Sequence, residues 1–249
     1  MSKIIGAVGK GGCGKTTLVA LFLKSLLEKG KGLILVIDAD PNEGLPSTLD
    51  IKNYSTISNV MEGSKGEVVN FKKFEDKLES LLLENEQERY DILLMGRGEG
   101  KGCYCLINNL LKSFIERSIL RKNCYDYILM DCEAGLEHVS RKTSDSVDDL
   151  VIVTDSSKKG LDTIQRIKDI SKEVKTEVEK FYVVSSRVKD EKISNKIKER
   201  CTELDMFYLG NIPFDPLVEE FDFEGKSLLE LPTNSLAYKE VSEMLERIL

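Results

Sequence analysis

Residues 9–16 read Gly-Lys-Gly-Gly-Cys-Gly-Lys-Thr, and they directly follow the apolar run Ile4–Val8. That run has the composition of a buried β-strand, and the residues after Thr16 have the pattern of a helix. Glycines at these spacings let backbone N–H groups wrap a phosphate, while the helix points the positive end of its dipole at it. The stretch therefore predicts a P-loop, with Lys15 on the β- and γ-phosphate oxygens and the Thr16 hydroxyl on Mg²⁺.

Seven short β-rich runs alternate with longer helical patterns along the chain. The runs lie near Ile4–Val8, Leu33–Asp38, Asp91–Gly96, Tyr127–Asp131, Leu150–Thr154, Phe181–Ser185 and Phe207–Ile212. Helical connections predict a mostly parallel sheet, and apolar runs without period-two alternation predict helices on both of its faces. We therefore expect an α/β fold with a doubly wound, mostly parallel sheet, forming a single domain over residues 1–249.

The segment 42–88 is polar, and we expect a helix at Phe74–Gln87 within it. The segment is either an excursion from the sheet that carries switch or partner surfaces, or a solvated connection. We find no internal repeat and no linker rich in Pro, Gly and Ser, so nothing in the sequence marks a second domain.

Composition restricts the partners of the chain. Its 249 residues are 41% hydrophobic and 32% charged, with a net charge of -7, which argues against a main role on nucleic acid or anionic membrane because both favour a basic face. The N-terminus enters a strand at once, with neither a signal h-region nor an Arg-rich presequence. We expect a cytoplasmic protein that binds neither nucleic acid nor membrane, with its six cysteines as thiols, core residues or metal ligands rather than disulfides.

Lys10 is a second lysine on the phosphate loop, and binding a nucleotide within one chain does not require it. It is either a tolerated surface lysine or a residue that acts on another chain. Residues 10–17, Lys-Gly-Gly-Cys-Gly-Lys-Thr-Thr, resemble the deviant Walker A loop of the MinD/ParA and nitrogenase-iron-protein superfamily. The resemblance implies an ATP- and Mg²⁺-dependent ATPase that forms a homodimer, in which Lys10 stabilises transition-state charge on the partner's nucleotide.

Acids follow two further strands. Asp38 and Asp40 end the second strand and resemble the superfamily's switch I, which implies that Asp40 orients the attacking water. Asp38 lies nearer the strand and is either close to Mg²⁺ and the P-loop or a cap for the turn at the strand end. Asp131 resembles the Walker-B-like acid of switch II, which implies a role next to the Mg²⁺ ligands.

Two more segments carry cysteines and acidic residues in distinctive runs. Residues 131–138 read Asp-Cys-Glu-Ala-Gly-Leu-Glu-His, and residues 102–105 read Gly-Cys-Tyr-Cys. Together with Asn108, Ser140, Arg141 and Thr143, these segments resemble CooC-type proteins, the nickel-insertion accessory ATPases of carbon monoxide dehydrogenase. This resemblance implies a metallochaperone that serves carbon monoxide dehydrogenase or a related nickel enzyme.

Cys103 and Cys105 are the candidate ligands for Ni²⁺ or Zn²⁺. One chain supplies two thiolates, whereas a closed Zn²⁺ site or a square-planar Ni²⁺ site needs four ligands, so a twofold axis near this loop would complete the site. Taken alone, a C-x-C pair is as readily two small residues at a helix start as a metal site.

Two alternative functions remain: an iron-sulfur reductase of the nitrogenase-iron-protein type, and a MinD/ParA-like positioning ATPase. The amphipathic C-terminal helix Ser235–Leu249 mixes both charges on its polar face, which favours packing on the sheet over membrane binding.

The purine side of the site is less clear from the sequence. The superfamily commonly places Asn after the strand that ends near Ser185, whereas this chain has Ser186 and Arg187; the resemblance nevertheless favours ATP. A second loop around Pro213 is similar to the superfamily's base-side loop.

The candidate catalytic residues are Lys10, Lys15, Asp38 and Asp40. The candidate nucleotide-binding residues are Gly9, Lys10, Gly11, Gly12, Cys13, Gly14, Lys15, Thr16, Thr17, Asp131, Ser186, Arg187 and Pro213.

Overall fold

The computed structural model describes residues 2–63, 76–85, 89–97, 111, 113–120, 123–133, 147–173 and 178–249. Within these ranges the strands are β1 (Lys3–Gly9), β2 (Ile34–Ala39), β3 (Leu83–Asn85), β4 (Tyr90–Leu94), β5 (Tyr127–Cys132), β6 (Val147–Thr154), β7 (Val178–Ser186) and β8 (Phe207–Ile212). The α-helices are α1 (Lys15–Glu28), α2 (Gly44–Thr48), α3 (Ile57–Gly63), α4 (Lys158–Glu173), α5 (Glu191–Glu203), α6 (Pro216–Glu224) and α7 (Leu236–Ile248). The structure also contains a π-helical stretch at Ile115–Leu120 and a short 3₁₀ helix at Leu228–Glu230.

The strands form one sheet in the order β3-β4-β2-β5-β1-β6-β7-β8. Every neighbouring pair is parallel except β3 with β4, which is antiparallel. From β1 the chain passes to β2 on one side and later to β6 on the other, so β1 is the point where the strand order reverses. Ligands bind outside the carboxyl ends of the strands at such a point, and the glycine-rich loop begins there.

Helices cover both faces of the sheet. On one face α1 packs with α7, and on the other face α4 and α5 cover the strands. All six residues of β2 are buried, as a strand between two helical layers requires. Each fully buried Leu or Ile contributes about 1.5–3 kcal/mol relative to an exposed one. The two apolar layers therefore fix the carboxyl edge of the sheet as a rigid platform.

The seven predicted strands are confirmed, with ends that differ by up to three residues from the predicted bounds. The prediction of a helix over Phe74–Gln87 is wrong in its second half. Residues 76–79 are helical, but Leu83–Asn85 form β3, because β4 offers an open edge with which this short segment pairs.

The C-terminal helix packs on the protein, as its charge pattern predicts. Ser235 caps the first turn of α7 by accepting a hydrogen bond from the amide of Tyr238. Ala237, Val241, Leu245 and Ile248 are all buried in the cluster shared with α1. In the part of the chain that the structure describes, no helix combines the length and apolar character needed to cross a membrane.

Candidate nucleotide-binding site

The loop between β1 and α1 has the backbone that a phosphate cradle needs. Gly9 has a φ of 153°, and a Cβ there would lie 2.2 Å from the carbonyl oxygen of Val153 on the neighbouring strand. Gly14 has a φ of 97° and precedes α1, whose first turn receives no side-chain cap. The first amides of α1 are therefore left without a side-chain acceptor, which is the arrangement that binds an anion.

A cavity of about 510 Å³ opens above this loop. It is lined on one side by Gly11, Gly12, Gly14, Lys15, Thr16 and Thr17, and on the other by Ser186, Arg187 and Pro213. Gly9, Lys10, Cys13 and Asp131 are outside that lining. Three segments that the sequence assigned separately to the nucleotide thus meet around one cavity.

Lys15 and Asp40 face each other at the edge of the cavity. Both are nearly buried, and Lys15 Nζ lies 3.8 Å from Asp40 Oδ2. The other oxygen of Asp40 accepts hydrogen bonds from the backbone and side-chain amides of Asn42, at 3.0 and 2.8 Å. Asn42 therefore fixes the direction in which the Asp40 carboxylate faces Lys15.

Thr16 and Asp131 form the candidate Mg²⁺ site. The Thr16 hydroxyl donates to Asp131 Oδ2 at 2.6 Å. The second oxygen of Asp131 is buried and has no hydrogen-bond partner among the described residues. Unpaired buried carboxylate oxygens are costly, and a hard cation held by one hydroxyl, waters and phosphate oxygens would relieve this cost. The residues present therefore fit Mg²⁺, with the Thr16 hydroxyl as ligand and Asp131 next to it.

Asp38 lies opposite Asp131 in the pairing of β2 with β5. Burial and then the charge of Asp131 raise the pKa of Asp38 to about 7, although amide hydrogen bonds from Leu45 and Asp40 oppose the shift. Burial raises the pKa of Asp131 to about 6, against the Thr16 hydrogen bond and the charge of Lys15. Three carboxylates thus share one lysine, and the region favours an added cation.

Both oxygens of Asp38 are engaged by backbone. Oδ1 accepts the amide of Asp40 and Oδ2 accepts the amide of Leu45, each at 3.0 Å. This geometry is that of a turn cap at the strand end, one of the two roles that the sequence leaves open. Asp38 shapes the turn that carries Asp40 to the cavity.

Lys10 forms an ion pair with Asp155, a residue that the sequence analysis missed. Its Nζ lies 3.0 Å from Asp155 Oδ2, and Asp155 also accepts hydrogen bonds from the amide and hydroxyl of Ser157. Against the opposing effect of burial, the Ser157 hydrogen bonds and the Lys10 contact lower the pKa of Asp155. Asp155 directly follows β6, so the strand-end argument that found Asp131 also points to it.

The side of the cavity expected to face the nucleotide base is formed by segments that are distant in sequence from the phosphate loop. Arg187, with a φ of 56°, donates from Nη2 to the Gly12 carbonyl at 3.1 Å. Asp215 accepts from the Ser235 hydroxyl and the Ala237 amide and so ties the Pro213 loop to α7. Ile212, Phe214 and Asp215 of the predicted loop around Pro213 also line the cavity. The sequence analysis missed further lining residues, namely Asn42, Gly44, Val218, Glu219 and Ala237.

Comparison with known proteins agrees with this geometry. The model of the CbiA family, described as the CobQ/CobB/MinD/ParA nucleotide binding domain, matches residues 4–228. The chain belongs to the CobQ/CobB/MinD/ParA nucleotide-binding family. As a member of this family it is an ATPase, and its α/β sheet is the fold of MinD and ParA proteins.

Three relatives place the chain within the family. An uncharacterized ATP-binding protein of Methanocaldococcus jannaschii is 39% identical, over 99% of this chain and 98% of the relative. The carbon monoxide dehydrogenase accessory protein CooC of Rhodospirillum rubrum is 27% identical, over 98% of this chain and 97% of CooC. The septum site-determining protein MinD of Pyrococcus horikoshii, solved with Mg-ADP, superimposes with a TM-score of 0.70 and 21% identity, over 100% of this chain and 96% of MinD.

The predicted nickel or zinc ligands, Cys103 and Cys105, lie outside the described residues, as do Asn108, His138, Ser140, Arg141 and Thr143. Among the described residues no group of three or more His, Cys, Asp and Glu side chains is placed to hold a metal ion. Cys132 is fully buried, and burial and then the charge of Asp131 raise its pKa.

Proposed function

We propose that the protein is a cytoplasmic, ATP- and Mg²⁺-dependent metallochaperone that works as a nucleotide-driven homodimer. Its cargo is Ni²⁺ or Zn²⁺, held between two chains by Cys103 and Cys105, and its client is carbon monoxide dehydrogenase or a related nickel enzyme. Full-length similarity to CooC supports this proposal, together with the C-x-C pair and the run at residues 131–138 that the sequence contains.

The position of Lys10 carries the dimeric part of the proposal. Lys10 does not line the cavity of its own chain, and it is held beside Asp155 with 40% of its side chain exposed. A lysine on the phosphate loop that leaves its own nucleotide site is available to a second chain. In a homodimer with the nucleotides at the interface, it stabilises the charge that develops on the partner's transferring phosphoryl group.

The remaining residues have separate roles in hydrolysis. Lys15 neutralises the β- and γ-phosphate oxygens, and Thr16 holds Mg²⁺, which supplies charge neutralisation across the two phosphates. Asp40 orients the water, with its own direction fixed by Asn42. The loop amides bind the phosphates, and Arg187 with the Pro213 loop encloses the purine.

Two alternatives use the same fold. A positioning ATPase is suggested by the MinD fold, but the apolar face of α7 formed by Val241, Leu245 and Ile248 is buried against the protein and is not available to lipid. An iron-sulfur reductase like the nitrogenase iron protein takes its two cysteines from well-separated positions, whereas Cys103 and Cys105 are two residues apart.

Metal content and oligomeric state of anaerobically purified protein, with and without ATP, test the proposal. A colourless dimer with one Ni²⁺ or Zn²⁺ per two chains is expected. Cys103→Ser should remove the metal and leave the fold intact, whereas Cys124→Ser, at an exposed cysteine, should keep it. Brown protein with visible absorption would instead support the reductase, and metal-free protein that pellets with vesicles in ATP would support the positioning ATPase.

A further inference from the structure

Glu43 lies three residues after Asp40 of the predicted switch I, and the sequence analysis assigned it no role. It directly precedes α2 and has a φ of 52° and a ψ of 53°. A residue other than glycine is seldom found in this left-handed region unless its contacts hold it there. Its amide donates to the carbonyl of Asp40 at 3.0 Å, which closes a turn over residues 40–43.

Both carboxylate oxygens of Glu43 are occupied, each by a different segment. The hydroxyl of Tyr54 donates to Oε2 at 3.1 Å, and the backbone amide of Arg97 donates to Oε1 at 3.2 Å. Burial and then the hydrogen bond to Glu43 raise the pKa of Tyr54, so the phenol stays a donor at neutral pH. One side chain therefore joins residues 40–44, hereafter the switch segment, to two distant points of the chain.

The switch segment lies directly against the phosphate site. Asp40 is 3.8 Å from Lys15, and a Cβ on Gly44 would lie 2.9 Å from the Thr16 hydroxyl. A small displacement of the turn would thus move Asp40 away from Lys15 and change the space beside Thr16.

The second point, Arg97, is anchored to the sheet. The amide of Met95 donates to the carbonyl of Asp38 at 2.9 Å, and the carbonyl of Met95 accepts from the amide and hydroxyl of Ser58. Gly96, with a φ of 77°, packs so closely that a Cβ would lie 2.2 Å from the Thr56 hydroxyl. Arg97 thus presents its amide to Glu43 from a fixed position.

We propose that Glu43 is a positioning residue for hydrolysis: by clamping the switch segment to Tyr54 and to the amide of Arg97, it holds Asp40 and Gly44 against Lys15 and Thr16. This role rests on the part in hydrolysis proposed above for Asp40 and Lys15, and not on the proposed metal cargo.

Steady-state kinetics of ATP hydrolysis distinguish a positioning role of Glu43 from a contribution to stability alone. Glu43→Ala should lower kcat by about tenfold or more, because misplacing a water-orienting group costs rate, while KM for ATP stays within about twofold. Glu43→Gln keeps one acceptor and Tyr54→Phe removes one donor, so each should give an intermediate kcat. The matched control is Tyr238→Phe, which removes another tyrosine–glutamate hydrogen bond, to Glu28 on α1.

Tyr238→Phe should leave kcat unchanged even where its melting temperature falls as far as that of Glu43→Ala. A wild-type kcat in Glu43→Ala, or an equal loss of kcat in Tyr238→Phe, would overturn the positioning role. A change confined to KM would also overturn it, because Glu43 would then act on binding alone.

Discussion

Replacing Lys10 by alanine should lower the rate of ATP hydrolysis by orders of magnitude while changing the stability of the fold only slightly. The Lys10–Asp155 pair is 3.0 Å long, but the two side chains are 40% and 29% exposed. A partly exposed ion pair is worth about 0–1 kcal/mol, so the melting temperature should fall by at most about 2–4 °C. A cation supplied in trans to a transferring phosphoryl group is worth about 10³–10⁵ in rate. Lys10→Ala should therefore abolish hydrolysis in a protein that remains folded.

The assay measures ATP hydrolysis over a range of protein concentrations, together with sedimentation and binding of a fluorescent ATP analogue. Lys10→Ala should bind the analogue as a monomer, because Lys10 does not line the cavity, and should not dimerise with ATP. The matched control is Asp155→Asn, which breaks the same ion pair but keeps the lysine, and it should retain hydrolysis. Wild-type hydrolysis by Lys10→Ala at all concentrations would refute the action of Lys10 on a partner's nucleotide.

Two further predictions concern the buried acids. Asp131→Asn should raise the Mg²⁺ concentration needed for hydrolysis by roughly 10–100-fold, because the negative charge beside Thr16 is lost and an amide oxygen accepts the Thr16 hydrogen bond more weakly than a carboxylate; an unchanged Mg²⁺ titration would contradict that role. Without nucleotide, Asp38 and Asp131 have pKa values of about 7 and about 6, above the ordinary 3.8, so the folded state binds more protons than the unfolded state between about pH 4 and 7. The free energy of unfolding should therefore fall as pH rises through this window. In melting experiments with EDTA, the stability of Asp38→Asn should decline less steeply with rising pH than that of the wild type. A steeper decline would contradict a raised pKa of Asp38 in the folded state.

The fold was largely predictable because its central strands are buried on both faces. β1, β2 and β5 consist mostly of buried apolar residues that helices must cover, and such runs stand out from the amphipathic helices between them. β3 was not predictable in this way, because a three-residue edge strand has almost no pattern of its own. It forms where β4 offers unpaired backbone groups, and that edge exists only in the assembled sheet.

The site was predictable where it depends on strand ends. Parallel strands bring their carboxyl ends to one edge, so Asp40 and Asp131 were expected beside the phosphate loop, and the structure places both there. Asp155 could have been found by the same argument. The role of Glu43 could not have been predicted. A glutamate in the sequence does not indicate a left-handed backbone, and its partners Tyr54 and Arg97 come from distant segments.

The buried charges explain why the site should respond to a nucleotide and not merely hold one. Asp38 and Asp131 sit opposite each other on neighbouring strands, with Asp40 two residues beyond and Lys15 as the nearby cation. Without Mg²⁺ the raised pKa values show that full ionisation of these acids is unfavourable. Mg²⁺ would favour the ionised forms, and an ionised Asp38 would accept the amides of Asp40 and Leu45 more strongly. A cation bound beside Asp131 would therefore stabilise the turn that carries Asp40 toward Lys15.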